Sequence, residues 1–144
     1  MAAAPAAAAG GAAGGAAGEQ AAYSHAFEAL KGNDYPGSIT QFQDFLRLYP
    51  HSPLAGNAQY WLGEAYYVTH DYDDALSAFR AVGTSYPQSP KVPDALLKVG
   101  LTQLELNQAA EARATLRQVV LRFSGSSAAK LAAAKLQSMP PDGQ

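Results

Sequence analysis

The chain has 144 residues, no cysteine and a formal net charge of −2. Without cysteine, disulfides, thiol catalysis and zinc–thiolate sites are excluded. Basic residues are scattered and never form a run, which argues against an electrostatic grip on nucleic acid or on a membrane surface. Beyond residue 18, no stretch approaches the roughly eighteen apolar residues of a membrane span. The composition therefore predicts neither nucleic-acid binding nor membrane insertion.

The first eighteen residues contain only alanine, glycine and one proline after Met1. Such a segment has little apolar surface with which to offset its ordering entropy, so we expect a flexible linker over 1–18. It lacks the basic start and the Leu-, Ile- or Val-rich core of a signal peptide. The folded domain is expected to begin at residue 19.

An internal repeat of 37 residues organises the rest of the chain. Self-similarity at such a period is the sequence signature of stacked structural repeats. A second series at the same period places alanine or glycine at equivalent positions. The recurring positions are Tyr35, Phe42 and Tyr49, then Tyr72, Phe79 and Tyr86, then Ala109, Leu116 and Phe123, with Ala26, Gly63 and Gly100 as the second series.

Each copy has apolar residues at helical spacing in two segments. The predicted helices span 20–31, 36–49, 54–69, 73–86, 91–106 and 109–123. A seventh, over 127–138, carries Leu131, Leu136 and Met139 and would cover the apolar face of the last hairpin. The predicted fold is all-α, a right-handed superhelix of three helical hairpins plus a C-terminal capping helix. The predicted divisions are the linker 1–18, a repeat domain 19–139 (repeats 19–52, 53–89 and 90–126, cap 127–138) and a tail 140–144.

Local signals support the helix boundaries. Ser52-Pro53 and Ser89-Pro90 are typical of an N-cap serine followed by proline at the first helical position. A glycine inside a helix costs roughly 1 kcal/mol relative to alanine. Gly63 and Gly100 therefore predict a close approach of the two helices of one hairpin.

The second copy contains most of a known repeat motif. The tetratricopeptide pattern is W-x2-L-G-x2-Y followed by Ala, Phe and Pro at fixed offsets, in a period of about 34 residues. Here Leu62-Gly63, Tyr66, Ala75, Phe79 and Pro87 take those positions, while Gln59 stands where tryptophan is usual. The sequence resembles tetratricopeptide repeats with a period longer by three residues.

Two strings narrow the resemblance. The sequences S-P-L-A-G-N-A-Q-Y-W-L-G-E-A-Y-Y (52–67) and Y-P-Q-S-P-K-V-P-D-A-L-L-K-V-G (86–100) closely resemble the C-terminal domain of the YbgF/CpoB family of Tol-Pal proteins. The resemblance implies a periplasmic adaptor without catalytic activity or cofactor, which binds TolA. It further implies a role in coordinating peptidoglycan synthesis with outer-membrane constriction during cell division. A bifunctional penicillin-binding protein is then a further candidate partner.

The resemblance also implies that full-length family members form trimers through an N-terminal coiled coil. No heptad segment occurs in these 144 residues, so we expect the domain alone to be a monomer. Two alternatives stay open at this point. One is a tetratricopeptide scaffold subunit of outer-membrane protein assembly, and the other is an accessory domain of a cell-wall enzyme.

The candidate binding surface is the concave face of the inner helices, because an aromatic stripe with a few charges suits a peptide or helix partner. His25, His51 and His70 are far apart in sequence and favour no metal site. Helical spacing from Gly63 and its equivalents in the other repeats identifies the residues on this concave face. The candidates are Gln20, Tyr23, Phe27 and Leu30 in the first repeat, Asn57, Tyr60, Glu64 and Tyr67 in the second, and Asp94, Leu97, Lys98 and Leu101 in the third.

Overall fold

A computed structural model describes residues 11–141, apart from the side chains of 11–14. Seven α-helices follow one another in this range, and no strand occurs in it. We label them α1 to α7. They span Gly11–Lys31 (α1), Tyr35–Leu48 (α2), Ala55–Val68 (α3), Tyr72–Ser85 (α4), Val92–Glu105 (α5), Ala109–Arg122 (α6) and Ser127–Ser138 (α7).

The helices pair into hairpins and the hairpins stack in chain order. Helices α1 and α2, α3 and α4, and α5 and α6 form the three hairpins, and each hairpin packs on the next through α2–α3, α4–α5 and α6–α7. The inner helices α1 and α3 also touch. The all-helical prediction of three hairpins and a terminal helix is confirmed.

The turn inside each hairpin depends on one residue with positive φ. Asn33, His70 and Asn107 have φ of 66°, 65° and 61°, and they stand at equivalent positions 37 residues apart. A residue in the left-handed backbone conformation ends the first helix and lets the chain reverse direction within a few residues. Asparagine adopts this conformation more readily than most residues do. The same geometry therefore recurs in all three repeats.

The predicted capping role of Ser52 and Ser89 is wrong in detail. The helices begin three residues later, at Ala55 and Val92, and their N-cap positions carry no side-chain hydrogen bond. The Ser52 hydroxyl instead accepts from the N–H of Leu54, and Ser89 from that of Lys91. The serines thus stabilise the turn before the helix, since a short hydroxyl can bond to the backbone two residues on.

The expected linker over 1–18 differs from the structure in its second part, because α1 is helical from Gly11. Residues 1–10 lie outside the described range. Helix growth from an already packed segment adds one hydrogen bond per residue fixed, and alanine has the highest helix propensity. The Tyr49 hydroxyl lies beside this part of α1, since a Cβ added at Gly18 would come within 3.1 Å of it.

The predicted close approach within the hairpins is confirmed. A Cβ on Gly63 would lie 2.7 Å from two ring carbons of Phe79, and one on Gly100 would lie 2.8 Å from Leu116 Cδ2. Phe79 and Leu116 are fully buried. Glycine is therefore needed where the inner helix crosses these side chains.

The terminal helix covers the last hairpin with small residues. Ala128, Ala129 and Ala132 of α7 are buried, and the Ser126 hydroxyl caps the helix by accepting from the Ala129 N–H. Leu131 was expected to share this task but is 60% exposed, because it lies on the opposite face of α7. Leu136 and Met139 pack against the core as predicted.

Candidate functional site

The predicted face is formed by α1, α3 and α5, the first helices of the three hairpins. Two groups of side chains can be distinguished on it. We call the first the aromatic cluster, which consists of Tyr23, Phe27, Tyr60 and Trp61 together with Lys91. We call the second the polar cluster, which consists of Glu64, Tyr67, Lys98 and Glu105.

The aromatic cluster joins the first two repeats. The Phe27 ring meets the edge of Trp61 with the centroids 5.2 Å apart, and Tyr23 stacks on Phe27 at 6.2 Å. Tyr60 meets Trp61 at 5.0 Å. Edge-to-face and offset arrangements of this kind are the favourable ones for aromatic pairs.

A cation lies over two rings of this cluster. The Lys91 Nζ is 4.8 Å from the centroids of both Tyr60 and Trp61. Burial raises the pKa of Tyr23, although hydrogen bonds with Trp61 and Asn57 act in the opposite direction. Asn57 therefore lies close to the Tyr23 hydroxyl of the aromatic cluster.

The polar cluster joins the second and third repeats. Lys98 Nζ forms an ion pair with Glu64 Oε1 at 2.9 Å and lies 4.7 Å from the Tyr67 ring centroid. The Tyr67 hydroxyl donates to Glu105 Oε2 at 3.4 Å. Burial and then the negative charge of Glu105 raise the pKa of Tyr67 to about 12, so the phenol is neutral at pH 7.

Two of the predicted contact residues belong to the core. Tyr60 is 8% exposed and packs against the Phe79 ring, while Leu97 is 6% exposed and packs with Leu116 and Val119. Both are covered because the neighbouring hairpins close over them. They hold the face in place and offer little area to a partner, which corrects their predicted role.

The other predicted residues keep some accessible surface. Gln20 is exposed and donates to the Ser24 hydroxyl, and Leu30 packs at the edge of the first core cluster. Leu101 packs in the same way at the third cluster. Those with intermediate exposure are Tyr23, Phe27, Leu30, Asn57, Glu64, Tyr67, Asp94, Lys98 and Leu101.

Sequence reasoning missed Trp61 and Lys91. Trp61 stands 37 residues before Lys98, which was on the predicted face, so the repeat itself could have identified it. Lys91 precedes α5, outside the helical count, and only the structure shows its ammonium group above the rings. Among the described residues, no group of three or more His, Cys, Asp or Glu side chains could share a metal ion.

The fold and this face define a class of protein. Models of the Tetratricopeptide repeat family match residues 23–90 and 94–126. The chain belongs to this family, whose stacked repeats form extended concave binding surfaces. Solved structures share the fold at low sequence identity. The Arabidopsis OM64 TPR domain has a TM-score of 0.69 and 16% identity, covering 83% of this chain and 94% of that one.

A chain of the CopN–Scc3 complex is also similar, with a TM-score of 0.70 and 18% identity over 85% of this chain and 69% of that one. Part of the chain is also similar to a curated protein of known name. The cell division coordinator CpoB of Pseudomonas putida, including that of strain KT2440, is 50% identical to this chain over 46 residues. The match covers 32% of this chain and 17% of the relative. The chain is thus a CpoB-like tetratricopeptide-repeat domain.

Proposed function

We propose that this domain is a non-catalytic adaptor that binds a partner protein on its concave face. The observation that carries the proposal is the set of partly exposed aromatic and polar side chains on the three inner helices. Rigid aromatic side chains give large contact areas at a low cost in conformational entropy, and they are enriched at binding hot spots. Phe27, Trp61 and Tyr67 provide such anchors, one or more in each of the first two repeats.

The electrostatics of the face favour a partner of low charge density. Glu64 and Lys98 neutralise each other, and Lys91 is engaged with two rings. Asp94, in the first turn of α5, is close enough to Tyr60 to raise the pKa of its hydroxyl, after the larger effect of burial. A segment that presents apolar side chains with a few hydrogen-bonding groups would therefore fit better than a highly basic or acidic one.

The similarity to CpoB supports a more specific version of the proposal. We infer a periplasmic role in the Tol-Pal system, in which the domain binds TolA and helps to coordinate peptidoglycan synthesis with outer-membrane constriction. A bifunctional penicillin-binding protein is a further candidate partner. None of the helices within residues 11–141 is long and apolar enough to cross a membrane.

Isothermal titration of the purified domain with the C-terminal half of TolA tests the proposal. We expect saturable binding of one TolA segment per domain, with a negative heat-capacity change because apolar surface is buried. A periplasmic protein of similar size and charge outside the Tol-Pal system serves as the control ligand. If the folded domain shows neither a heat of binding nor a change in tyrosine and tryptophan fluorescence when TolA is added, TolA is not the partner.

A further inference from the structure

A cleft lies on the convex face of the molecule, opposite the concave face described above. It runs between the outer helices α4 and α6, with α5 as its floor, and has a volume of about 430 Å³. None of the residues that form it belongs to the concave face. The residues that define it are Phe79, Arg80, Gly83, Val99, Gln103 and Arg122.

The cleft exists because one position in the second repeat and one in the third differ from their equivalents in the other repeats. Gly83 stands where the first and third repeats have Leu46 and Val120, and both of those side chains pack against the core. Gln103 stands where the preceding repeat has Tyr66. A Cβ on Gly83 would meet no atom within 4 Å, so the space that leucine takes up in the first repeat is open here.

The lining combines an apolar floor with one buried amide. Val99 is 4% exposed and Gln103 is 3% exposed. The Gln103 Oε1 accepts a hydrogen bond from the Thr115 hydroxyl at 2.7 Å, whereas no acceptor within the described range takes a hydrogen bond from its Nε2. Because Gln103 lines the cleft and its Nε2 keeps some accessible surface, this amide group can donate a hydrogen bond to a ligand oxygen.

Two guanidinium groups flank the cleft. Arg80 on α4 and Arg122 on α6 both line it, and no carboxylate does. Neither arginine forms an ion pair within residues 11–141; Arg122 lies 5.0 Å from the Phe123 ring centroid. The charge at the cleft is therefore positive on a chain whose net charge is −2, and it complements a carboxylate.

We propose that this convex cleft binds an acidic segment of a partner protein, with an aliphatic side chain over Val99 and Gly83 and a carboxylate between Arg80 and Arg122. The Gln103 amide would donate to an oxygen of the same segment. Arginine suits this task because its planar group can hold a carboxylate with two parallel hydrogen bonds. The site is separate from the concave face, so the domain could hold two segments at once.

The probe is a short capped peptide of alternating glutamate and leucine, titrated into the ¹⁵N-labelled domain and followed by NMR. We expect saturable shifts at the backbone amides of Gly83 and Val99 and at the Gln103 side-chain amide. The same peptide with glutamine in place of glutamate should bind about tenfold more weakly or worse. Higher salt should weaken only the glutamate peptide, because screening acts on the exposed charges.

The main variant is Gly83→Leu, which restores the residue type of the first repeat and should abolish the shifts. Gly83→Ala is a second variant in case leucine impairs folding. Arg80→Gln and Arg122→Gln should each weaken binding about tenfold, whereas Lys130→Gln on α7 should not change it. The proposal is overturned if the glutamine peptide binds equally well, if Gly83→Leu retains binding, if the shifts map to Tyr67 and Leu101, or if no saturable shift occurs up to about 5 mM peptide.

Discussion

The ammonium group of Lys98 lies 2.9 Å from Glu64 Oε1 and 4.7 Å from the centre of the Tyr67 ring. The pair joins α3 to α5 across the boundary between the second and third repeats. Both side chains are about one-quarter exposed or less, at 20% and 24%. A partner bound at this point of the face would therefore meet two charges that already neutralise each other.

The ion pair should couple the two repeats. In a double-mutant cycle with Glu64→Gln and Lys98→Met, we expect a coupling free energy of about 1 kcal/mol, between the values for exposed and fully buried pairs. Urea unfolding followed by circular dichroism provides the measurement. The exposed pair Lys31–Glu28 on α1 is the control, where coupling should stay below about 0.5 kcal/mol. Equal coupling in the two pairs would show that Lys98 and Glu64 do not link the repeats.

Alanine should have opposite effects at two glycines. Gly63→Ala places a Cβ 2.7 Å from the buried Phe79 ring, so overpacking of about 1–3 kcal/mol should outweigh the gain of roughly 1 kcal/mol in helix propensity. Gly83→Ala meets no atom within 4 Å and should stabilise by roughly 0.5–1 kcal/mol. Thermal and urea unfolding of both variants test this. If Gly63→Ala were stabilised as much as Gly83→Ala, α3 and α4 would not be in close contact.

Much of the fold could be predicted from the sequence because repeat proteins present each local signal several times. The helices, the hairpin turns and the glycine contacts followed from a period visible in three copies. The burial of Tyr60 and Leu97 did not, since helical periodicity identifies a face but not how far the next hairpin covers it. The Lys91 contact and the convex cleft depend on side chains brought together by stacking, which no single helix encodes.

A substitution in the turn at His70 should increase the stability of the domain. Its φ of 65° is strained for most side chains, and Asn33 and Asn107 take the equivalent positions in the other repeats. His70→Asn should therefore stabilise the domain, by less than about 1 kcal/mol because histidine already tolerates this region and stacks on Tyr72. The same substitution within α1, His25→Asn, is the control and should leave the melting temperature nearly unchanged. Destabilisation by His70→Asn would mean that the contact with Tyr72 outweighs the backbone preference.

The stability of the domain should fall at high pH because Tyr60 and Tyr67 are more readily ionised in the unfolded chain. Burial, and after it the nearby carboxylates, raise the pKa of Tyr67 from 10.0 to about 12 and also raise that of Tyr60. The folded state then keeps a proton that the unfolded state loses, so the stabilisation is complete below pH 10 and is lost as pH rises from 10 towards 12. Tyr67→Phe removes one titrating group and should make the loss smaller. Unfolding by urea at pH values across this window measures both slopes, and identical slopes would contradict the raised pKa of Tyr67.

The most direct test of the concave binding site is titration calorimetry with the C-terminal half of TolA. The parent domain is compared with variants that each change one side chain on the concave face or on the outer face. Phe27→Ala and Tyr67→Ala remove partly exposed rings from the concave face, and each should weaken binding by about 2 kcal/mol, the scale of a hot-spot residue. Leu121→Ala removes a side chain that is 80% exposed on the outer helix α6 and should bind like the parent. Each variant must first show the helicity and melting temperature of the parent. If Phe27→Ala and Tyr67→Ala fold normally and bind TolA as tightly as the parent, the concave face is not the binding site.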